Sequence, residues 1–248
     1  MQGRYDISVV VTAHHEGRLA HHAMRGLFRS RDHASETGLQ VEMAVVMDRP
    51  DQATRSYFDG YRDRVLLLET DFGDPGLARN SCMDKIGGEY VGWLDADNLP
   101  GQNWLHAAWA FLREAGGEVV AHPEYMVVFE AEELVFRQIS MDDPGFSVTR
   151  LMEYNYWDTV CLARRGIFER FPYAGTSAGK GFGFEDWHWN CETIAHGVRH
   201  CVVPETVHFQ RSKRGGSQRT QSRRAVELIR PNTLFEPEVY ARAVRRYG

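Results

Sequence analysis

The chain has 248 residues, 43% of them hydrophobic and 25% charged, with a formal net charge of −5. That size fits one large α/β domain or two small ones with a substantial core, and the composition is that of a globular protein. The acidic balance argues against a general nucleic-acid binder, which needs a basic surface, and no apolar run approaches the roughly 20 residues of a membrane span.

The start of the chain enters an apolar strand at Ile7 without a basic n-region or long h-region, so no signal peptide is expected. Cys82, Cys161, Cys191 and Cys201 lie far apart with no Cys-x-x-Cys pair. They read as reduced, buried thiols of a cytoplasmic protein, with neither a disulfide framework nor a zinc site. Peripheral contact with the inner face of the cell membrane stays open.

In chain order, residues 7–11 form an apolar β-branched run and 18–30 carry Leu19, His22, Ala23, Leu27 and Phe28 at helical spacing. Residues 41–47 read as a second strand, 51–61 as a helix, 65–68 as a third strand, 77–86 as a helix and 90–94 as a fourth strand. Short apolar runs alternating with amphipathic segments predict βαβ units and a mainly parallel, Rossmann-like sheet. The second half is less regular. A helix is expected over 104–115, strands over 119–121 and 125–129, a short run at 159–163, a helix over 185–196 and a strand over 198–203. The Gly- and aromatic-rich stretch 171–183 reads as a ligand-touching loop. One domain with two lobes is expected, 1–100 and 101–230, with 231–248 as a basic tail.

The most informative motif is Asp95-Ala96-Asp97 at the end of the fourth strand. Residues i and i+2 of a strand share a side, so both carboxylates can converge beyond the strand's carboxyl end, where open α/β sheets place ligands. Two hard oxygens there suit Mg2+ or Mn2+ with substrate phosphates as further ligands. The alternative is that the acids only satisfy free backbone N–H groups. Other polar groups fall on the same edge: Thr12-Ala13-His14-His15-Glu16 after strand one, Asp48 after strand two, and Arg79-Asn80 in the helix before strand four. Further on, Glu185-Asp186 open a helix behind Gly181-Phe182-Gly183-Phe184, either as catalytic acids or as dipole caps. His208 ends a strand and leads into the basic stretch 210–224, with Arg211, Lys213, Arg214, Arg219, Arg223 and Arg224 around Gly215-Gly216.

This ordered set resembles the inverting, metal-dependent GT-A glycosyltransferases of family two over nearly the whole chain. The resemblance implies a GT-A fold and transfer of a sugar from a nucleoside-diphosphate sugar, UDP-linked by preference, to a sugar or glycolipid acceptor in glycoconjugate or polysaccharide synthesis. It implies that Thr12, Ala13, Glu16, Asp48, Arg79, Asp95 and Ala96 line the nucleotide site, Asp48 accepting a hydrogen bond from the base. Asp97 would be the direct metal ligand with Asp95 beside it, and His208 a second protein ligand; imidazole favours Mn2+ over Mg2+. Asp186 would be the general base, Glu185 its neighbour at the acceptor, and Arg211, Lys213 and Arg214 a lid over the diphosphate. The alternative to that lid is a solvated charged loop, and for His208 a strand-end histidine bonded to backbone. Trp187 and Trp157 are acceptor-stacking candidates or core aromatics in equal measure. The rival functions are a retaining enzyme on the same fold and a non-catalytic nucleotide-sugar-binding protein. A nucleotidyltransferase is disfavoured because His14-His15-Glu16-Gly17-Arg18 replaces the Gly-rich, Lys/Arg-containing signature after strand one.

Overall fold

A computed structural model describes residues 5–176, 181–213 and 227–247. Strands β1 (Tyr5–Ala13), β2 (Val41–Asp48), β3 (Leu66–Thr70) and β4 (Gly88–Asp95) alternate with helices α1 (Ala20–Glu36), α2 (Gln52–Asp59) and α3 (Pro75–Ser81). β1 pairs in parallel with β2 on one side and β4 on the other, and β3 extends the sheet beyond β2. The chain order therefore reverses at β1. Ligands of open parallel sheets bind at the carboxyl ends beside such a reversal, and the Thr12↔Asp95 register places the Asp-x-Asp motif there.

The second half completes a mixed sheet in the order β3-β2-β1-β4-β8-β6-β9-β5, with β7 on β6. Its elements are β5 (Leu99–Pro100), α4 (Trp104–Glu114), β6 (Val119–Glu130), β7 (Leu134–Arg137), β8 (Cys161–Arg164), α5 (Arg165–Arg170), α6 (Glu185–Ala195), β9 (Arg199–Ser212) and α7 (Pro237–Tyr247). The two strands expected at 119–121 and 125–129 are one. Pro123 breaks the apolar pattern, but the strand passes it through a register shift between Pro123 and Tyr125 against β9, as a bulge permits. β9 likewise runs on from 203 through His208 to Ser212. α3 begins two residues earlier than expected, because Asp74 accepts from Leu77 N–H at 2.9 Å and Pro75 occupies the first turn.

Alternation along the strands builds two apolar layers. Ile7, Val9 and Val11 of β1 pack with Met24, Leu27, Trp104 and Leu105 of α1 and α4. Val10, Val46, Val91 and Trp93 face Ala78, Phe168 and Trp189 on the opposite side. A third cluster joins α6 to α7 through Cys191, Ile194, Leu234 and Ala243, with Phe146, Leu151 and Trp157. Cys82, Cys161, Cys191 and Cys201 are free and buried. No helix among the described residues is long and apolar enough to cross a membrane.

Candidate active site

The carboxyl ends of β1 and β4 are stitched together twice. Ala96 N–H donates to the Thr12 carbonyl at 2.9 Å, and Thr12 Oγ1 donates to Asp95 Oδ1 at 2.8 Å. Arg79, 1% exposed, donates from one terminal nitrogen to the same Asp95 oxygen at 3.0 Å and from the other to Glu185 Oε1 at 2.8 Å. A buried guanidinium thus links the Asp-x-Asp edge to the start of α6, 106 residues away. Burial opposes its charge, but Asp95 and Glu185 hold it protonated above even the usual arginine range. The site therefore has a rigid charged bridge between its two halves.

Local backbone choices make that bridge fit. Gly76 in the first turn of α3 lies so close to α6 that a Cβ there would stand 3.0 Å from Tyr173 Cβ and 3.3 Å from Glu185 Cγ. Phe184, directly before α6, takes a left-handed conformation with φ of 58°. Such a conformation costs a bulky L residue about 1–2 kcal/mol and is held only where its surroundings dictate it. It turns the chain so that Glu185 and Asp186 enter the helix facing the bridge.

Asp186 is half-buried, and its Oδ2 accepts from Asn155 Nδ2 at 3.3 Å. Asn190 Nδ2 donates to Asn155 Oδ1 at 2.9 Å and fixes that amide. Burial first, then the charges of Glu185 and Asp158, push the Asp186 carboxyl up to about 7. A carboxylate so placed is matched to proton abstraction near neutral pH.

On the other side of Asp95, Asp97 is paired with Lys213 Nζ at 2.6 Å, and Glu16 Oε1 lies 3.5 Å from the same ammonium. Burial pushes the Asp97 carboxyl above the usual range, and Lys213 works against this. Burial also opposes the Lys213 charge, yet Asp97 and Glu16 raise it above its ordinary value. His208 is fully buried. Its Nε2 lies 2.9 Å from Asp158 Oδ2, and its Nδ1 has no hydrogen-bond partner among the described residues. The donor set fits a divalent cation in chemistry: a half-buried carboxylate already balanced by a positive charge, and an imidazole nitrogen without a partner among the described residues. It is not gathered as a preformed cage, and no cluster of three or more such ligands occurs among the described residues.

The remaining expected residues fall as follows. Asp48 is 6% exposed and organises the turn after β3, accepting from Thr70 Oγ1 at 3.0 Å, Phe72 N–H at 2.7 Å and Asp74 N–H at 2.8 Å. Asp74 in turn accepts from Thr176. Ala13 and Ala96 are buried at the strand ends, and Glu16 also accepts from His14 N–H. Arg211 pairs with Glu130, its N–H donates to Asn98 Oδ1 at 3.1 Å, and Arg214 lies outside the described residues, as do 177–180 of the expected loop and Gly215, Gly216, Arg219, Arg223 and Arg224. Trp187 is half-buried and donates to the Leu151 carbonyl at 2.8 Å. Trp157 is 3% exposed, donates to the Ile139 carbonyl at 2.8 Å and stacks on His122 and His200. Its faces are taken by core neighbours, leaving none for a sugar. Asn155 and Asn190 carried no motif; only the fold brings them to Asp186, as it brings Asp158 to His208.

Solved structures share this architecture. The fragment 1–349 of Staphylococcus aureus TarS in complex with UDP-GlcNAc matches with a TM-score of 0.66 and 17% identity, over 87% of this chain and 60% of that one. The mannosyltransferase PcManGT from Pyrobaculum calidifontis, in complex with GDP-Man and Mn2+, matches with a TM-score of 0.58 and 16% identity, over 97% and 70%. The fold is the GT-A fold of glycosyltransferases. The poly(ribitol-phosphate) beta-N-acetylglucosaminyltransferase TarS of Staphylococcus aureus (strain Mu50) is 32% identical over 85 residues, 33% of this chain and 15% of that protein, so the match spans a small part of the relative's length. The family described as Glycosyl transferase family 2 matches residues 8–203, and this chain belongs to it.

Proposed function

We propose that the chain transfers a sugar from a UDP-linked donor to an acceptor hydroxyl, with inversion, in the synthesis of a polysaccharide, glycolipid or other glycoconjugate. The observation that carries this reading is the Arg79 bridge. It holds the Asp-x-Asp edge of β4 and the Glu185-Asp186 start of α6 as one unit, with Asp186 poised near 7.

In this reading Thr12, Ala13, Glu16, Asp48, Asp95 and Ala96 line the nucleotide site, and Arg79 acts from below by fixing Asp95. Asp97 and His208 would hold Mn2+, or Mg2+, with Asp95 beside them. The ion would stabilise, as a Lewis acid, the charge that grows on the departing diphosphate. Lys213 and Arg211 supply further positive charge from the end of β9. Asp186 takes the proton of the acceptor hydroxyl as that oxygen attacks the anomeric carbon, and Glu185, held by Arg79, fixes the helix start that aims it. Attack opposite the diphosphate inverts the anomeric centre. Trp187 borders the acceptor side.

The UDP preference is supported by the UDP-GlcNAc complex of TarS, and PcManGT with GDP-Man shows that the fold also accepts guanosine. The name of TarS supports an acceptor hydroxyl on a phosphate-linked polyol or sugar polymer. The test is UDP release from a panel of UDP-sugars with Mn2+ and polyol-phosphate or oligosaccharide acceptors, with the product's anomeric configuration read by NMR. Acceptor-dependent release that Asp186→Asn abolishes supports the reading. Release undiminished in that variant overturns the base assignment, and a product of retained configuration overturns inversion.

A further inference from the structure

Strand β7 is exposed along all four residues, although three are large and apolar: Leu134 is 47%, Val135 68% and Phe136 43% exposed. Tyr125, beside it on β6, is 39% exposed. One edge of β7 pairs with β6 in the register Tyr125↔Arg137, Met126↔Phe136, Val127↔Val135 and Val128↔Leu134. Among the described residues the other edge has no partner strand. An apolar, open edge strand is a template for pairing with another chain.

The backbone fixes how a partner must approach. Gln138 N–H donates to the Glu124 carbonyl at 2.7 Å, so the alternating pattern of an antiparallel pair turns Phe136 and Leu134 toward β6. The free N–H and C=O groups of the outer edge then belong to Val135, Arg137 and Glu133. Glu133 and Arg137 stand symmetrically about Val135 in the sequence. An antiparallel copy centred on Val135 would set Val135 against Val135 as a hydrogen-bonded pair. It would also set each Glu133 against the other copy's Arg137, and each Leu134 against Phe136. A parallel copy places like charges opposite each other, and a shifted one loses both ion pairs. Arg137 already pairs through Nε with Glu124 of β6 at 3.1 Å, so its terminal guanidinium nitrogens are the ones that would meet the other copy's Glu133, and the charged flanks that would blunt this edge toward other strands are complementary to the strand itself.

We infer that β7 is a self-association edge through which a second copy of this chain pairs antiparallel about Val135. The inference is independent of the proposed sugar transfer. β6 carries β7 on one edge and the 207–212 stretch of β9 on the other, so β7 and β6 stand between the seam and the strand that bears His208.

The experiment is sedimentation equilibrium over a wide concentration range on the chain and five variants, with circular dichroism confirming the fold of each. The parent mass is expected to rise from one chain toward two. E133R and R137E should each weaken association about tenfold by opposing like charges twice across the two-fold. The double variant E133R/R137E should return to near the parent value, and V135K should remain a single chain. V135C, oxidised with glutathione disulfide, should give a covalent dimer, because paired strand residues stand about 5.5 Å apart, within disulfide reach. A parent that stays monomeric at every concentration overturns the inference. A dimer insensitive to V135K, or a charge swap that fails to restore pairing, overturns it equally.

Discussion

Replacing Asp186 with Asn separates the role of this carboxylate in chemistry from its cost to the fold. The carboxyl is pushed from its ordinary 3.8 to about 7, by burial first and by Glu185 and Asp158 next. A folded value above the unfolded one means that stability is fully present below about 4 and is lost as pH rises through about 7. That interval corresponds to a ceiling of roughly 4 kcal/mol. Because the side chain keeps an opening to solvent, about 2 kcal/mol is the expected penalty above neutrality. The Asn variant carries no charge and escapes it. Its melting temperature should exceed the parent's by about 4–8 °C at pH 8, and the gap should shrink steadily toward pH 5. Transfer should fall by about 10²–10⁴ in kcat while the donor still binds. In the parent, kcat/KM should drop below pH 7 as Asp186 takes up its proton. Differential scanning fluorimetry at several pH values, beside the kinetic assay, reads all three. A pH-independent stability gap, or a parent profile flat from pH 5.5 to 8, would refute the reasoning.

Arg79→Met should destabilise the chain by about 3 kcal/mol in urea denaturation, since it strands the buried Glu185 and takes the partner of the half-exposed Asp95. Arg79→Lys should recover only part of this, because a single ammonium cannot span both carboxylates. Asp48→Ala removes the acceptor of Thr70, Phe72 and Asp74; a loss of about 1–3 kcal/mol in thermal unfolding is expected, together with weaker donor binding as the 70–74 turn loosens. Asp97→Ala should abolish Mn2+ binding in electron paramagnetic titrations while leaving the circular dichroism spectrum unchanged.

Much of the fold was legible because its signals are local. The β-branched runs of β1, β2 and β4 and the spacing of Ala23, Leu27 and Phe28 on α1 need only neighbours in sequence to be read. β5 and β7 escaped notice because two and four residues carry no period, and α7 because its basic residues masked an apolar face that packs on α6. Within the site, the strand-end motif at Asp95 and the Glu185-Asp186 helix start were visible as types and positions. Their connection was not: Arg79 meets Glu185 across 106 residues, and the Asp158 that binds His208 lies 50 residues from it. Asn155 and Asn190 gave no signal at all, since a polar residue acquires its meaning only when the fold brings it against a buried carboxylate. Trp157 shows the converse, an aromatic whose type allowed cleft or core equally and which only the fold assigns to the core.

The central claim is that the edge between Thr12, Asp97 and His208 holds a nucleoside diphosphate with a divalent cation. Calorimetric titration of the folded chain with UDP, in Mn2+ and again with chelator, tests it most directly. The account predicts saturable one-to-one binding in Mn2+ that weakens at least about tenfold, or roughly 1.4 kcal/mol, when the metal is withdrawn. Absence of binding by UDP and by GDP, with the fold intact and Mn2+ present, would contradict it.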